Sequence, residues 1–460
     1  MPTVGLSMIV KNEAQTLGLC LQSVSGIVSQ IVVADTGSTD NTPDVARQFG
    51  ATVVSVPWEN HFANARNAAL KLMSTDWVLV LDADEELGGE ARDQMPNLLG
   101  AANAGGYLVP IRNYIPTVTG RGWDRVAMPN KNSHPRAQHA PAYFVHENCR
   151  LFRRDPEIYF TGRVHELVEP RITALGRRLS MAKFCVHHFG QLVQEDTRKR
   201  KAAAYRDLLR MKVRELPDDP MTWIQLGLQE YECSREPSEP LRCFDHALTL
   251  QPRATPAALF KAMIYLELRQ CDQALVVLDT AHADHRSRAF REHLRGDALH
   301  NLGRLREART AYSDALRLTG NDCVLSSKLG YTEVGLGRRE EGIARLKQAA
   351  QKAPQVVEIR QRLMKALVSL NNLPDAAIEA EELASLEGTE KAYLRAASIR
   401  VHAKQLQEAR EVLNRGITIF PDSAGLRLAL VELCDELKAP NNDRPLDHSV
   451  SPGGPSRSFL

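Results

Sequence analysis

The sequence predicts an α/β domain with a mostly parallel sheet, followed by an all-α array of helical repeats. Over the first ~110 residues, short runs rich in Val and Ile alternate with helical patterns. In the second half, small and bulky residues recur every 34 positions. The chain has 460 residues, 43% hydrophobic and 25% charged, which is ordinary globular usage. That length suits about two to four domains, each with its own core.

Taken in order, "VGLSMIV" reads as a strand, "EAQTLGLCLQSV" as a helix and "QIVVAD" as a second strand. "TPDVARQFG" is a helix, capped by Asp40 or Asn41 and stopped at Gly50. "ATVVSVPW" is a strand, "FANARNAALKLM" a helix and "DWVLVLD" a further strand. Continuous Val/Ile/Leu strands imply a parallel sheet covered on both faces. Ligands of such sheets sit beyond the carboxyl ends of the strands, where Asp35 and Asp82 stand.

In the second half, Ala247, Ala281, Ala315 and Ala349 share the 34-residue period, as do Phe244, Leu278, Tyr312 and Leu346. Ala274, Ala308, Gly342 and Ala376 form a third column, and Ala262, Gly296 and Gly330 a fourth. This resembles the tetratricopeptide repeat (TPR), with small residues where paired helices meet closely. The resemblance implies about six units over 220–437, the first and last irregular.

Between the halves, "QEDTRKRKAAAYRDLLRMKVREL" reads as a charged helix within a 191–219 linker. Its basic run, Arg198 to Lys201, suits either a solvated face or contact with an anion. The last stretch, 438–460, is rich in Pro, Ser and Gly and reads as disordered. A net charge of +2 gives no bulk reason to expect nucleic acid or an anionic membrane. No apolar run has the length of a membrane span, and the N-terminus lacks a signal-peptide pattern. The 8 cysteines form no CxxC pair, which suits reduced thiols and a cytoplasmic location.

The chemistry gathers at the strand ends. In Asp82-Ala83-Asp84, strand geometry would turn both carboxylates to one side, toward one ion. Oxygen-rich ligation suits Mg²⁺ or Mn²⁺, which complete their shells with water and phosphate. A cation is needed there, because each close pair of like charges costs about 4 kcal/mol at an effective dielectric near 20. Asp35, at another strand end, can accept from a base N–H or a ribose hydroxyl, whereas Asp40 serves as a helix cap.

"SMIVKNEAQTLGLCLQSV", "IVVADTGSTDNT", "HFANARNAAL" and "VLVLDADEEL", in this order, resemble the family 2 glycosyltransferases of GT-A fold. The resemblance covers about residues 1–190. It implies transfer of a sugar, of hexosyl type, from a nucleotide donor such as a UDP-sugar, with inversion at the anomeric carbon. It also implies that Asn12 and Glu13 line the nucleotide pocket, that Asp35 contacts the base and that Arg66 lies near the nucleotide and phosphates. By the same resemblance, Asp84 would hold the metal, and Asp82 would reach the ribose or the metal. Thr36 stands where many members carry a second acid.

For the base, the family places an acid after a later strand, and "GRVHE" supplies Glu166, with His165 as competitor. In "CVHHFG", His188 fits a metal ligand and His187 would face the other way. A mixed Asp/His shell favours Mn²⁺. Arg150, Arg153 and Arg154 suit phosphate or acceptor contacts, or plain surface charge. The polar stretch from Asn113 to His146 reads as a long lid or acceptor-binding loop.

The leading expectation is therefore a metal-dependent inverting glycosyltransferase whose repeats recognise a protein or peptide acceptor. Saccharide, small-molecule and thiol acceptors stay open. The alternative is a TPR interaction scaffold with a non-catalytic transferase-like domain, which the intact acids Asp35, Asp82, Asp84 and Glu166 oppose. A nucleotidyltransferase ranks third, because "KNEAQ" has no glycine with which to cradle a triphosphate.

Overall fold

The computed structural model describes residues 2–438, apart from 102, 118–120, 123–124, 132–133, 193–194, 235 and 283–284. The tail expected to be disordered lies outside the described residues. The chain forms two compact units, one Met1–Leu268 with Val277–Ala283, the other Arg269–Val276 with Asp284–Leu460.

The first unit opens with β1 (Val4–Val10), α1 (Leu17–Ser23), β2 (Gln30–Asp35), α2 (Thr42–Gln48), β3 (Thr52–Ser55), α3 (Phe62–Leu70) and β4 (Trp77–Val80). There follow β5 (Glu85–Leu87), α4 (Ala91–Leu99), β6 (Ala104–Ile115), three short strands, and β10 (Ala142–Arg153). The short strands are β7 (Arg121–Gly122), β8 (Arg125–Val126) and β9 (Met128–Pro129). α5 (Glu169–Ala174), β11 (Arg178–Met181) and β12 (Val186–His188) complete the sheet region.

The sheet runs β3-β2-β1-β4-β10-β6-β12-β5, with β11 paired to β6 and β9 to β10. β3, β2, β1 and β4 are mutually parallel, whereas β10 runs antiparallel to β4 and β6. Side chains of β4 alternate between two cores. Trp77, Leu79 and Leu81 pack with Leu6, Met8, Leu17 and Leu21 on one face. Val78 and Val80 pack with Ala63, Ala69, Phe152 and Phe160 on the other. Two covered faces explain the unbroken apolar run of β4. With no face of β4 left in water, its polar residues collect at the carboxyl end.

The stretch expected to be a long loop from Asn113 to His146 is partly strand. Asn113–Ile115 close β6 and Ala142–His146 open β10, and the two ladders pair directly. Strand propensity in "YLVPIRNYI" and "AYFVHENCRLF" extends the hairpin past the point where polarity alone suggests a loop.

Still in the first unit, α6 (Glu195–Glu215), α7 (Pro220–Ser234), α8 (Ser238–Leu250) and α9 (Thr255–Glu267) follow. α6 is not a bare solvated linker. Leu208, Leu209 and Val213 bury themselves with Val164, Leu226 and Cys243.

After α10 (Cys271–Thr280), the second unit contains α11 (His285–Asn301), α12 (Leu305–Thr319), α13 (Cys323–Gly335) and α14 (Arg339–Lys352). α15 (Val357–Ser369), α16 (Leu373–Glu387), α17 (Glu390–His402), α18 (Leu406–Ile419) and α19 (Ala424–Lys438) complete it. The 34-residue columns fall where helices cross: Phe244, Leu278, Tyr312 and Leu346 are all buried, as are Ala247, Ala281, Ala315 and Ala349. A Cβ on Gly342 would lie 2.6 Å from the Gly330 carbonyl oxygen, so the α13–α14 crossing requires glycine. Among the described residues, no helix is long and apolar enough to cross a membrane.

Candidate active site

Parallel pairing aligns the strand ends: Val10 lies opposite Asp35, and Ser7 opposite Val80. Asn12, Glu13, Asp35, Asp82 and Asp84 therefore emerge along one carboxyl edge.

The first two loops of that edge are tied to each other. Asn12, at φ 56°, accepts from Thr39 N–H at 2.7 Å and donates its own N–H to Ser38 Oγ at 2.9 Å. Ser38 Oγ also donates to Asp35, whose carboxylate is largely buried. Glu13 N–H donates to Thr42 Oγ1, and Thr16 Oγ1 donates to Glu13 Oε2. Asp40 accepts from Thr42 N–H at 3.0 Å and so starts α2.

At the end of β4, a turn replaces the strand. Glu85 N–H donates to the Asp82 carbonyl at 3.0 Å, so the alternation that would align Asp82 with Asp84 has already stopped. Each acid consequently has its own partners. Asp82 receives Arg66 Nη2 at 2.7 Å and Arg150 Nη2 at 3.1 Å. Arg150 also reaches Glu85 at 2.6 Å, and Arg66 Nε meets Glu166 Oε1 at 2.5 Å. The result is a chain of Glu166, Arg66, Asp82, Arg150 and Glu85, half-open at Asp82 but buried at the Arg66–Glu166 and Arg150–Glu85 pairs. Breaking such a pair by removing one partner costs about 3–5 kcal/mol, because a bare charge stays behind.

Electrostatics follow the same chain. Burial disfavours the Asp82 charge, but Arg66 and Arg150 override it and hold the carboxyl far below the usual range. Glu85 is more deeply buried and has Asp82 beside it; only part of this is offset by Arg150, and its value rises to about 7. Arg66 Nη1 and Arg150 Nε are buried without a hydrogen-bond partner, the kind of donor that a polar ligand or ordered water satisfies. Arg153 and Arg154 serve the fold instead, donating to the carbonyls of Ala101, Ala104 and Thr75.

Asp84 pairs with His188. His188 sits opposite both Glu85 and Asn113 in the sheet, and its Nε2 lies 3.5 Å from Asp84 Oδ2. Asn113 Oδ1, 2.6 Å from Nδ1, fixes the ring so that Nε2 faces the acid. Burial opposes a charge on His188. The hydrogen bond and charge of Asp84, with Glu85 and Asp82 behind, nonetheless push its value up to about 9. A Cβ on Gly190 would come 2.5 Å from His188 Nε2 and 2.7 Å from Asp84 Oδ2. The bare glycine thus keeps open a space onto which one carboxylate oxygen and one imidazole nitrogen face. That donor pair fits a hard or borderline divalent cation that keeps other positions for water or phosphate. Among the described residues, no three His, Cys, Asp or Glu side chains converge as a closed metal cage.

His187 points away, onto Tyr114 Oη at 2.8 Å, and burial beside His134 and Arg112 lowers it to about 4.

Glu166 and His165 lie in a loop closed by paired hydrogen bonds between Thr161 and Leu167. Gly162 at φ 105° and His165 at φ 53° make the turn, a backbone shape that glycine tolerates and histidine rarely adopts. Two helices grip the loop. From α3, Asn67 exchanges hydrogen bonds with the Phe160 backbone and Phe62 N–H donates to the Arg163 carbonyl. From α6, Lys212 Nζ donates to the Val164 carbonyl at 3.1 Å, and Glu215 pairs with Arg163. Burial and nearby Lys212 lower the His165 value. Glu85, Asn113 and the α6 contacts carry no local sequence signal. Arg150 sits between Cys149 and Leu151 in an apolar strand, and that pattern is the signal for an inward-facing arginine.

Residues 6–158 match the family described as Glycosyl transferase family 2, and residues 255–331 match a tetratricopeptide repeat-like domain. A TPR repeat-containing protein of Synechococcus elongatus is 30% identical over 310 residues, 66% of this chain and 69% of that protein. An uncharacterized glycosyltransferase of Rickettsia felis is 36% identical over 108 residues, covering 24% of this chain and 38% of the relative. A crystal structure of a tetratricopeptide repeat protein from Parabacteroides merdae covers 52% of this chain and 94% of its own, at 14% identity and a TM-score of 0.40. With the strand-edge acids and the helical array both in place, the chain belongs to the family 2 glycosyltransferases and carries a tetratricopeptide-repeat region.

Proposed function

We propose that the protein is an inverting, metal-dependent glycosyltransferase that moves a hexosyl group from a nucleotide-sugar, a UDP-sugar in the first instance, to an acceptor. The transferase domain is residues 1–190, the joining helix lies in 191–219, and the repeats of 220–437 recognise a protein or peptide acceptor. The observation that carries the reading is the Asp84–His188 pair facing the space above Gly190, beside the Asp82–Arg66–Glu166 chain.

Asp35, held by Ser38, takes the base, and Asn12 and Glu13 line the nucleotide pocket. Arg66 Nε occupies Glu166 Oε1, and no hydrogen bond to Oε2 is made among the described residues. Oε2 takes the acceptor proton as the acceptor oxygen attacks the anomeric carbon. The bond from that carbon to the phosphate oxygen breaks, and its electron pair leaves with the nucleoside diphosphate. Asp84 and His188 would hold a divalent cation, Mn²⁺ or Mg²⁺, which when bound supplies positive charge for the departing diphosphate. Asp82, with both oxygens held by arginines, orients Arg66 and lies within the donor pocket.

The test is a thermal-shift screen of UDP-, GDP- and dTDP-sugars with and without Mn²⁺, followed by assay of slow diphosphate release to water. A donor should raise the melting temperature in the presence of Mn²⁺, and EDTA, Asp84→Ala and Gly190→Ala should each abolish that gain. No shift with any donor would overturn the assignment.

A further inference from the structure

We propose that Lys201, on the helix joining the domains, binds the sugar-proximal phosphate of the nucleotide donor. The proposal rests on the transferase reading above.

α6 lies outside the stretch that matches the transferase family, yet one of its faces is built against the site. Lys201, Tyr205, Leu208 and Lys212 recur at three- and four-residue spacing, which places them on one side of the helix. Tyr205 stacks on Phe62, ring centroids 5.4 Å apart, and its ring lies 6.2 Å from that of His165. Leu208 is buried with Val164, and Lys212 holds the Val164 carbonyl. These contacts fix the rotation and height of α6, and Lys201 is the next residue along the same stripe. Its Nζ comes 3.3 Å from Glu13 Oε1, on the loop beyond β1.

Its neighbours in the basic run behave differently. Lys199 pairs with Glu195 and Arg200 donates to the Asp196 carbonyl, both within their own helix. Lys201 reaches across to the strand edge. The charge of the site's arginines is largely balanced by its acids, Arg66 by Asp82 and Glu166, Arg150 by Asp82 and Glu85, which leaves the buried Arg66 Nη1 and Arg150 Nε without a partner. A diphosphate arriving among these acids, beside the cation that Asp84 and His188 would hold, therefore gains from further positive charge at the rim. Lys201 supplies it, since a half-exposed ammonium in a single-carboxylate pair is weakly held. A phosphate with more charge and more acceptor oxygens outbids Glu13.

Calorimetry on the full chain, with Mn²⁺, tests this. The probes are whichever of UDP, GDP and dTDP most raises the melting temperature, and the matching monophosphate. Lys201→Ala should weaken diphosphate binding about tenfold while leaving monophosphate binding and the ligand-free melting temperature unchanged. Lys201→Arg should restore most of the loss, and Lys199→Ala should have no effect. Equal weakening of both nucleotides would show a structural role, and no weakening would show no role; either overturns the proposal. If the unaltered chain bound none of the nucleotides, the transferase reading would fall and this proposal with it.

Discussion

Arg66 holds one oxygen of Glu166, and in the proposed reaction the other takes the acceptor proton. Glu166→Gln keeps the shape and loses the basicity, so kcat should fall about 10²–10⁴-fold while donor affinity is retained; transfer assays and calorimetry on the same variant check both halves. His188 gives a pH prediction with a definite sign. Its value in the fold, about 9, lies above the 6.5 of a free histidine. The stabilisation from its pairing with Asp84 is complete below pH 6.5 and is lost as the pH rises through about 9. In EDTA, unfolding free energy should drop across that window by up to about 3 kcal/mol, and His188→Gln should flatten the slope in urea titrations. These residues differ in how legible they are. Motif order puts Asp35, Asp84, Glu166 and His188 forward as candidates, and the Asp84–His188 pairing joins two of them. The sharing of Asp82 between two arginines is not legible there, because it depends on β10 running antiparallel beside β4, which no local pattern announces.

At the level of elements, periodicity is the reliable guide. The strands β1, β2 and β4 stand within a residue or two of their apolar runs, and the 34-residue columns fall on buried helix crossings. The hairpin of β6 and β10 was harder, since polar residues on a two-sided strand resemble a loop. Gly342 shows how tight the crossings are. Replacing a helical glycine by alanine usually gains about 1 kcal/mol. Here the added Cβ would meet the Gly330 carbonyl oxygen and Val334 at 2.6 Å. Overpacking of about 1–3 kcal/mol should win, so Gly342→Ala should lower the melting temperature, as differential scanning calorimetry would show.

Over the whole molecule, the division of labour is uneven. The joining helix looked like a charged spacer, because its many Lys, Arg and Asp residues mask the short apolar stripe of Leu208, Leu209 and Val213. Each of these three buried side chains contributes about 1.5–3 kcal/mol, and together they approach the total stability of a domain. A chain ended at residue 190 should therefore fail to unfold cooperatively and should bind no donor, whereas one ended at residue 283 should unfold cooperatively and bind it, as circular dichroism and thermal shift would report.

The shared guanidinium of Arg66 has a thermodynamic corollary. A single guanidinium pairs with both Asp82 and Glu166, so neither acid can change its ionisation or position without the other registering it. In a double-mutant cycle on unfolding free energy, Asp82→Asn and Glu166→Gln should deviate from additivity by about 0.5–3 kcal/mol, a coupling that needs no moving part.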